Sequence, residues 1–332
     1  MTRCRVPGPR RRAAWAAGVL VAIMASATFA QPTWPARTIR IVVPYAAGGG
    51  VDTVARTVGQ KLAQRLEQAV VIDNRPGASG AIGCEVVARA TPDGYTLLAN
   101  FGPSHHTIQF FAKGTPYDPV RDFTAVSIVG TAPQVIVVPA SAPVRTVSEL
   151  LDLMRRNPAS ATYGTSGVGT SQHIGGLTLA QAGNLTLTHV AYKGGSAALN
   201  DLLGGQIPAA ILVLSNVAPH IATGRLRALG VLESHRARSV PAIPTVAENG
   251  MPGFAVPDTW AGFLAPAGLP LPIVRRLNAE ILAAIEAPEV KARLEAAGFE
   301  VEGRGPEAFA EELSGSVETF RRIVTQAGIR PE

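Results

Sequence analysis

Apolar residues along this chain switch between two periods, and the switching recurs over most of its length. Residues 38–44 are short and β-branched, the pattern of a strand, and they lead into the run Gly48-Gly49-Gly50. Val54, Val58, Leu62 and Leu66 then recur at every fourth position, which places them on one face of a helix. Residues 69–73 read as strand, 81–90 as helix and 95–100 as strand again. Strand, helix, strand in this order predicts an α/β protein built on an open, mostly parallel sheet.

A second unit of the same kind follows. Residues 147–156 read as helix, 161–164 as strand, 171–182 as helix, 187–191 as strand, 196–203 as helix and 208–214 as strand. The apolar run 134–138 leads into this unit, and a proline-rich stretch over 241–266 leads out of it. Three amphipathic helices are predicted beyond, over about 272–287, 288–297 and 306–327, each with a proline near its first turn. They need a sheet to cover. The simplest arrangement returns them to the first unit: lobe 1 over 31–137, lobe 2 over 138–255 and a return segment over 256–332.

The first thirty residues stand apart from this pattern. Arg3, Arg5, Arg10, Arg11 and Arg12 precede an apolar run over 13–25, and small residues continue to Ala30. That order is a secretory leader, and the apolar run is short for a bilayer span. Cys4 precedes the run and is not placed as a lipoprotein cysteine. Five of the six net positive charges belong to the leader, so the remainder is only about +1. Its Lys and Arg are scattered, which argues against a nucleic-acid surface. Cys84 is then the single remaining cysteine, and no intrachain disulfide is expected.

Open α/β sheets bind ligands where strand ends meet helix starts. Three such turns are small and polar: 44–52, 165–171 and 192–196. Backbone N–H groups at a helix start form a ready anion site. Asp52 is placed to N-cap the first of these helices. Enzyme motifs are incomplete: the runs around Ser79 and Ser166 lack the final glycine of a nucleophile elbow, and Thr53 breaks a dinucleotide fingerprint. His105 and His106 are adjacent, a poor spacing for a shared metal, and His173 reads as a capping or packing residue. No metal or cofactor is expected.

The turns also carry a resemblance. Residues 41–56 (IVVPYAAGGGVDTVAR), 73–83 (DNRPGASGAIG) and 92–96 (PDGYT) resemble the Bug-type solute receptors of tripartite tricarboxylate transporters. The likeness continues through 189–194 (HVAYKG), 243–248 (IPTVAE), 260–266 (WAGFLAP) and 296–300 (AAGFE). It implies a type II periplasmic-binding fold, two lobes around a cleft, and a small carboxylate ligand. It also implies membrane permease subunits as partners, with the receptor itself a monomer in the periplasm. Carried onto this chain, the ligand site takes Tyr45, Ala46, Gly48, Gly49 and Asp52 from one lobe. Ser166, Gly169, Thr170, Tyr192 and Gly194 come from the other, with Phe101, Ser104 and Asp258 as candidates for specificity. Val51 departs from the hydroxyl residue that many members carry there. A receptor reporting to a sensor kinase would share this surface, and an α/β hydrolase is the remaining, weaker alternative.

Export is expected to remove residues 1–30. Intact-mass measurement on periplasmic protein should find a mature start within a few residues of Gln31. Recovery only from membranes, with Met1 or Thr2 retained, would count against the leader.

Overall fold

Four of the five residues of β1 (Ile39–Val43) are buried, the signature of a strand covered on both faces. The computed structural model describes residues 34–111 and 114–326; the leader read over 1–30 lies outside the described residues. Beside β1 run β2 (Val70–Asn74) and β3 (Thr96–Phe101), both parallel to it. α1 (Gly50–Leu66) and α2 (Ala81–Ala88) make the two crossovers. Val54, Val58, Leu62 and Leu66 are all buried, as the four-residue spacing requires. The rest of this sheet is β4 (Phe123–Thr131), β10 (Trp260–Pro266) and β11 (Glu300–Arg304), in the order β11-β4-β10-β3-β1-β2. A short helix, α3 (Gly102–Thr107), continues directly from β3.

The second sheet has the order β7-β6-β8-β5-β9. Its strands are β5 (Gln134–Pro139), β6 (Thr162–Thr165), β7 (Thr188–Ala191), β8 (Ala210–Val213) and β9 (Leu226–Val231). Between them lie α4 (Val147–Arg156), α5 (Ser171–Ala182), α6 (Gly195–Leu203) and α7 (Leu214–Ala222). Alternate residues of β5 feed opposite cores: Ile136 and Val138 join one apolar cluster, Val135 and Val137 the other. Burying a side chain of this size contributes about 1.5–3 kcal/mol, so both faces of the sheet are held.

The C-terminal helices are α8 (Leu271–Ile285), α9 (Pro288–Ala296) and α10 (Pro306–Gln326). α8 and α10 pack on β4, and Phe309 of α10 meets Trp260 edge-on at 4.6 Å between ring centres.

The pairing is more mixed than the sequence pattern suggests. β5 is antiparallel to both its neighbours, β8 and β9, and β10 is antiparallel to β3 and β4. These are the strands on which the chain enters each sheet from the other, and each is inserted inside its sheet. All of β5 belongs to the second sheet, so the sequence boundary at 137/138 runs through a strand. β4, β9, β10 and β11 escape the sequence reading, and so do α3 and α7. In α7 an internal Pro219 hides a helix of only nine residues.

Gly262 sits in β10 beside a register shift, where a Cβ would lie 2.8 Å from the Ser127 carbonyl oxygen and 3.2 Å from Phe309. Gly262→Ala is expected to destabilise the fold by about 1–3 kcal/mol through overpacking. A urea midpoint equal to that of the wild type would show that the strand absorbs the methyl.

Candidate functional site

The turn after β1 is shaped by one carboxylate. Asp52 is buried three residues into α1. Its Oδ2 accepts from the Gly48 N–H at 2.9 Å and from Arg56 Nε at 2.8 Å, and its Oδ1 accepts from Asn74 Nδ2 at 3.0 Å. Burial alone would raise this carboxyl, but the hydrogen bonds from Arg56, Gly48 and Asn74 outweigh it and hold it below the usual carboxylate range. The N-cap is therefore not Asp52, as the sequence suggests, but Gly49, whose backbone is extended. Asp52 reaches back from the first turn to the loop, because a glycine cap has no side chain to do so. Left-handed backbone falls at Gly48, with φ +84°.

Gly49 supplies no side-chain acceptor, so the first N–H groups of α1 are left uncapped. The same is true of α6, capped by Gly194. At α7 the cap Val213 also offers no side-chain acceptor, but there the Leu214 N–H donates to the Pro133 carbonyl at 2.7 Å, leaving the N–H groups that follow it. α5 differs: Thr170 Oγ1 accepts from the His173 N–H at 3.3 Å and donates to the Gly167 carbonyl at 2.8 Å. The Gly169 N–H donates to His173 Nδ1 at 3.2 Å, and His173 stacks on His189 at 4.0 Å. Burial lowers His173 to about 3 and His189 to about 4, so both rings are neutral near pH 7. The second turn is thus fixed from behind by uncharged groups.

These helix starts meet in one cleft. Tyr45, Ala46, Gly49, Gly50 and Val51 line it from the first lobe, with Phe101 as a wall. Ser166, Gln172, Gly195, Val213 and Asn216 line it from the second. None of these carries a charged side chain. The lobes are close: a Cβ on Gly50 would lie 2.5 Å from Ser215 Oγ, and one on Gly48 would lie 3.7 Å from Ser196 Oγ. On another side of the contact, Thr107 Oγ1 donates to the Gly169 carbonyl. The cavity left is about 20 Å3, room for roughly one water. Any larger ligand requires the lobes to part.

Of the residues singled out in the sequence, Tyr45, Ala46, Gly49, Phe101 and Ser166 line this cavity. Gly48, Gly169 and Asp52 hold the loops from outside it, and Thr170 caps α5. Gly194 caps α6, facing Ala46 of the other lobe: a Cβ there would lie 3.8 Å from the Ala46 nitrogen. Tyr192 turns its hydroxyl to Asp201 Oδ2 at 2.7 Å, because its ring packs into the second lobe's core. Asp258 is exposed on the segment leading into β10 and does not line the cavity. Ser104 lies in α3, and its side chain lies outside the described residues. Gln172, Val213 and Asn216 were not legible as site residues. Asn216 had a detectable signal: it follows a buried strand by three residues, as the other turns do. Among the described residues no His, Cys, Asp or Glu cluster suits a metal ion.

Two sheets joined by two crossings, with helix starts from both facing a cleft, define a two-lobed solute-binding protein. The family described as the tripartite tricarboxylate transporter family receptor matches residues 54–329. A relative from Pseudomonas sp. (strain P51), the UPF0065 protein of the tcbD-tcbE intergenic region, is 39% identical over 313 residues, covering 93% of each chain. The solved periplasmic binding protein BugD matches at TM-score 0.84 and 31% identity, covering 90% of this chain and 100% of its own. R. palustris Rpa4515 with adipate matches at TM-score 0.86 and 31% identity, with the same coverage. The chain belongs to the tripartite tricarboxylate transporter receptor family, a family of periplasmic solute-binding proteins.

Asp52→Asn should lower stability by about 1–3 kcal/mol at neutral pH, since it weakens charge-assisted bonds to Gly48 and Arg56. A carboxyl held low contributes above its unfolded value of about 4 and loses that contribution as pH falls through the folded value. Urea melts of both proteins should therefore converge in acid. A gap that persists undiminished at pH 2–3 would assign the loss to packing.

Proposed function

We propose that the cleft captures a small organic acid, with a carboxylate seated on the uncapped starts of α1, α6 and α7. The observation that carries this reading is the convergence of those three helix ends on a cavity whose lining holds no charged side chain. Each helix start is equivalent to roughly half a positive charge, and its free N–H groups are donors that a carboxylate accepts. Gly50 and Gly195 allow close approach, and Ser166, Gln172 and Asn216 supply neutral polar contacts. Phe101, Val51 and Val213 would flank the carbon skeleton. The adipate of Rpa4515 supports a carboxylate as the ligand class.

The receptor would deliver its ligand to the membrane subunits of a tripartite transporter, after export directed by the leader over residues 1–30. It acts as a binding protein, with no chemistry on the ligand.

A thermal-shift screen of aliphatic and aromatic mono-, di- and tricarboxylates should find at least one stabilising acid. Ligand at a hundred times its Kd adds about 2.7 kcal/mol. Calorimetry with that acid then separates backbone from side-chain grip. Gly50→Val, which sets a side chain against Ser215 and Phe101, should weaken binding tenfold or more. Lys193→Ala should cost well under tenfold, since that lysine is exposed and outside the lining. Loss of binding in Lys193→Ala with Gly50→Val intact would mean that an ion pair holds the acid.

A further inference from the structure

The chain passes between the sheets just before β5 and just before β10, and the two passages are tied together. The Ala132 N–H donates to the Thr259 carbonyl at 2.7 Å, and Gln134 Nε2 donates to Thr259 Oγ1 at 2.9 Å. Against this junction lies Glu233, two residues beyond β9 and only 3% exposed. Both of its carboxyl oxygens lie within reach of the Gln134 N–H, at 3.0 and 3.1 Å. No cation faces it among the described residues: Arg236 pairs with Glu248 at 2.8 Å and Arg238 with Glu300 at 3.2 Å. The charged group that acts on it is Asp258, on the returning passage, and its sign is the wrong one for an ionised partner. The partners on the two passages, Gln134 and Thr259, are neutral. Gln134 Oε1 is buried with no donor, and a protonated Glu233 carries the O–H that this oxygen lacks.

We propose that Glu233 is a proton-binding site of the hinge, protonated when the lobes are closed and ionised when they part, so that closure of the cleft takes up a proton. The proposal rests on the two-lobed receptor reading for its motion. Opening turns the two passages against one another and admits water to the carboxyl. In the closed form, burial pushes Glu233 from 4.5 up to about 8, opposed by the Gln134 hydrogen bonds and reinforced by Asp258. Once hydrated, the group returns towards 4.5. Between those values the closed form holds a proton that the open form has released. Closure is therefore favoured at low pH and weakens as pH rises through this window, levelling off above 8. With full hydration in the open form, the closed-to-open ratio falls about fiftyfold between pH 6 and pH 8. A receptor so built holds its ligand more tightly where protons are abundant.

Small-angle scattering on ligand-free protein from pH 6 to pH 9 tests this without knowledge of the ligand. The wild type should expand as pH rises, while Glu233→Gln, which is neutral throughout, should keep one radius. Asp258→Asn removes the neighbouring charge and should move the expansion to lower pH, which keeps the test open if Glu233→Gln does not fold. A wild-type radius independent of pH, or a Glu233→Gln profile that follows the wild type, overturns the proposal. So does an Asp258→Asn midpoint that stays in place. Failure of the receptor reading is seen separately, as the absence of any stabilising acid at pH 6.

Discussion

A helix start leaves several N–H groups without partners in the helix, and burying such a group unpaired costs about 1–3 kcal/mol. In α1, α6 and α7 the cap residue provides no acceptor, and all three starts face the same cleft. With the lobes apart, water satisfies these donors. With the lobes together, the space left is about one water's worth. The empty closed form is therefore poorly satisfied, and an anion that spans the cleft repairs it. Capture thus favours closure, because the ligand supplies the acceptors that closure takes away from solvent.

That argument needs loops that do not rearrange to cover the helix ends themselves. The structure prevents this from behind. Asp52 ties Gly48 to Arg56 and Asn74, and Asn74 Nδ2 also donates to the Tyr45 carbonyl at 3.0 Å. In the second lobe, Thr165 Oγ1 accepts from the Gly167 N–H at 3.1 Å and lies 2.6 Å from His189 Nε2. Asp52, Asn74, Thr165 and Thr170 are thereby engaged in holding these turns. What remains open to the cleft is backbone, a serine and two side-chain amides. Ordering these groups in advance reduces the entropy lost on binding.

Much of this was legible in the sequence, and the limits have physical causes. α1 and α4 follow from periodicity, because each covers a sheet on one face and is wet on the other, whereas the first six residues of α5 are all buried. β4 and β10 are buried almost throughout, so they show no alternation, and a continuous apolar run does not announce its direction. The three glycine-rich turns were identified because glycine is needed where lobes approach. The fourth turn, before α7, has no glycine at its start, and so Val213 and Asn216 were missed. Asp52 was placed in the right turn with the wrong role, since sequence spacing alone does not separate an N-cap from a first-turn carboxylate that reaches back. Tyr192 was assigned to the ligand site through the family resemblance; here its hydroxyl donates to Asp201 on the following helix, a partner that no turn pattern announces.

The hinge obeys a different rule from the cleft. Loops at the cleft are held mainly by hydrogen bonds within one lobe, with Thr107 Oγ1 to the Gly169 carbonyl crossing between lobes, so they travel chiefly with their own lobe when it moves. Gln134 and Thr259 instead bond across the two passages, with β5 and β10 each locked inside its sheet by two neighbours. Neither passage can lengthen without breaking strand pairing, which confines the motion to rotation about the junction. A group buried at that junction feels each opening, however far it lies from the ligand. Glu233 is such a group, and it joins β9 of the second sheet to both passages through a single residue, Gln134. Its protonation and the filling of the cleft then bias one equilibrium from two separate places, and each must shift the other by an equal free energy.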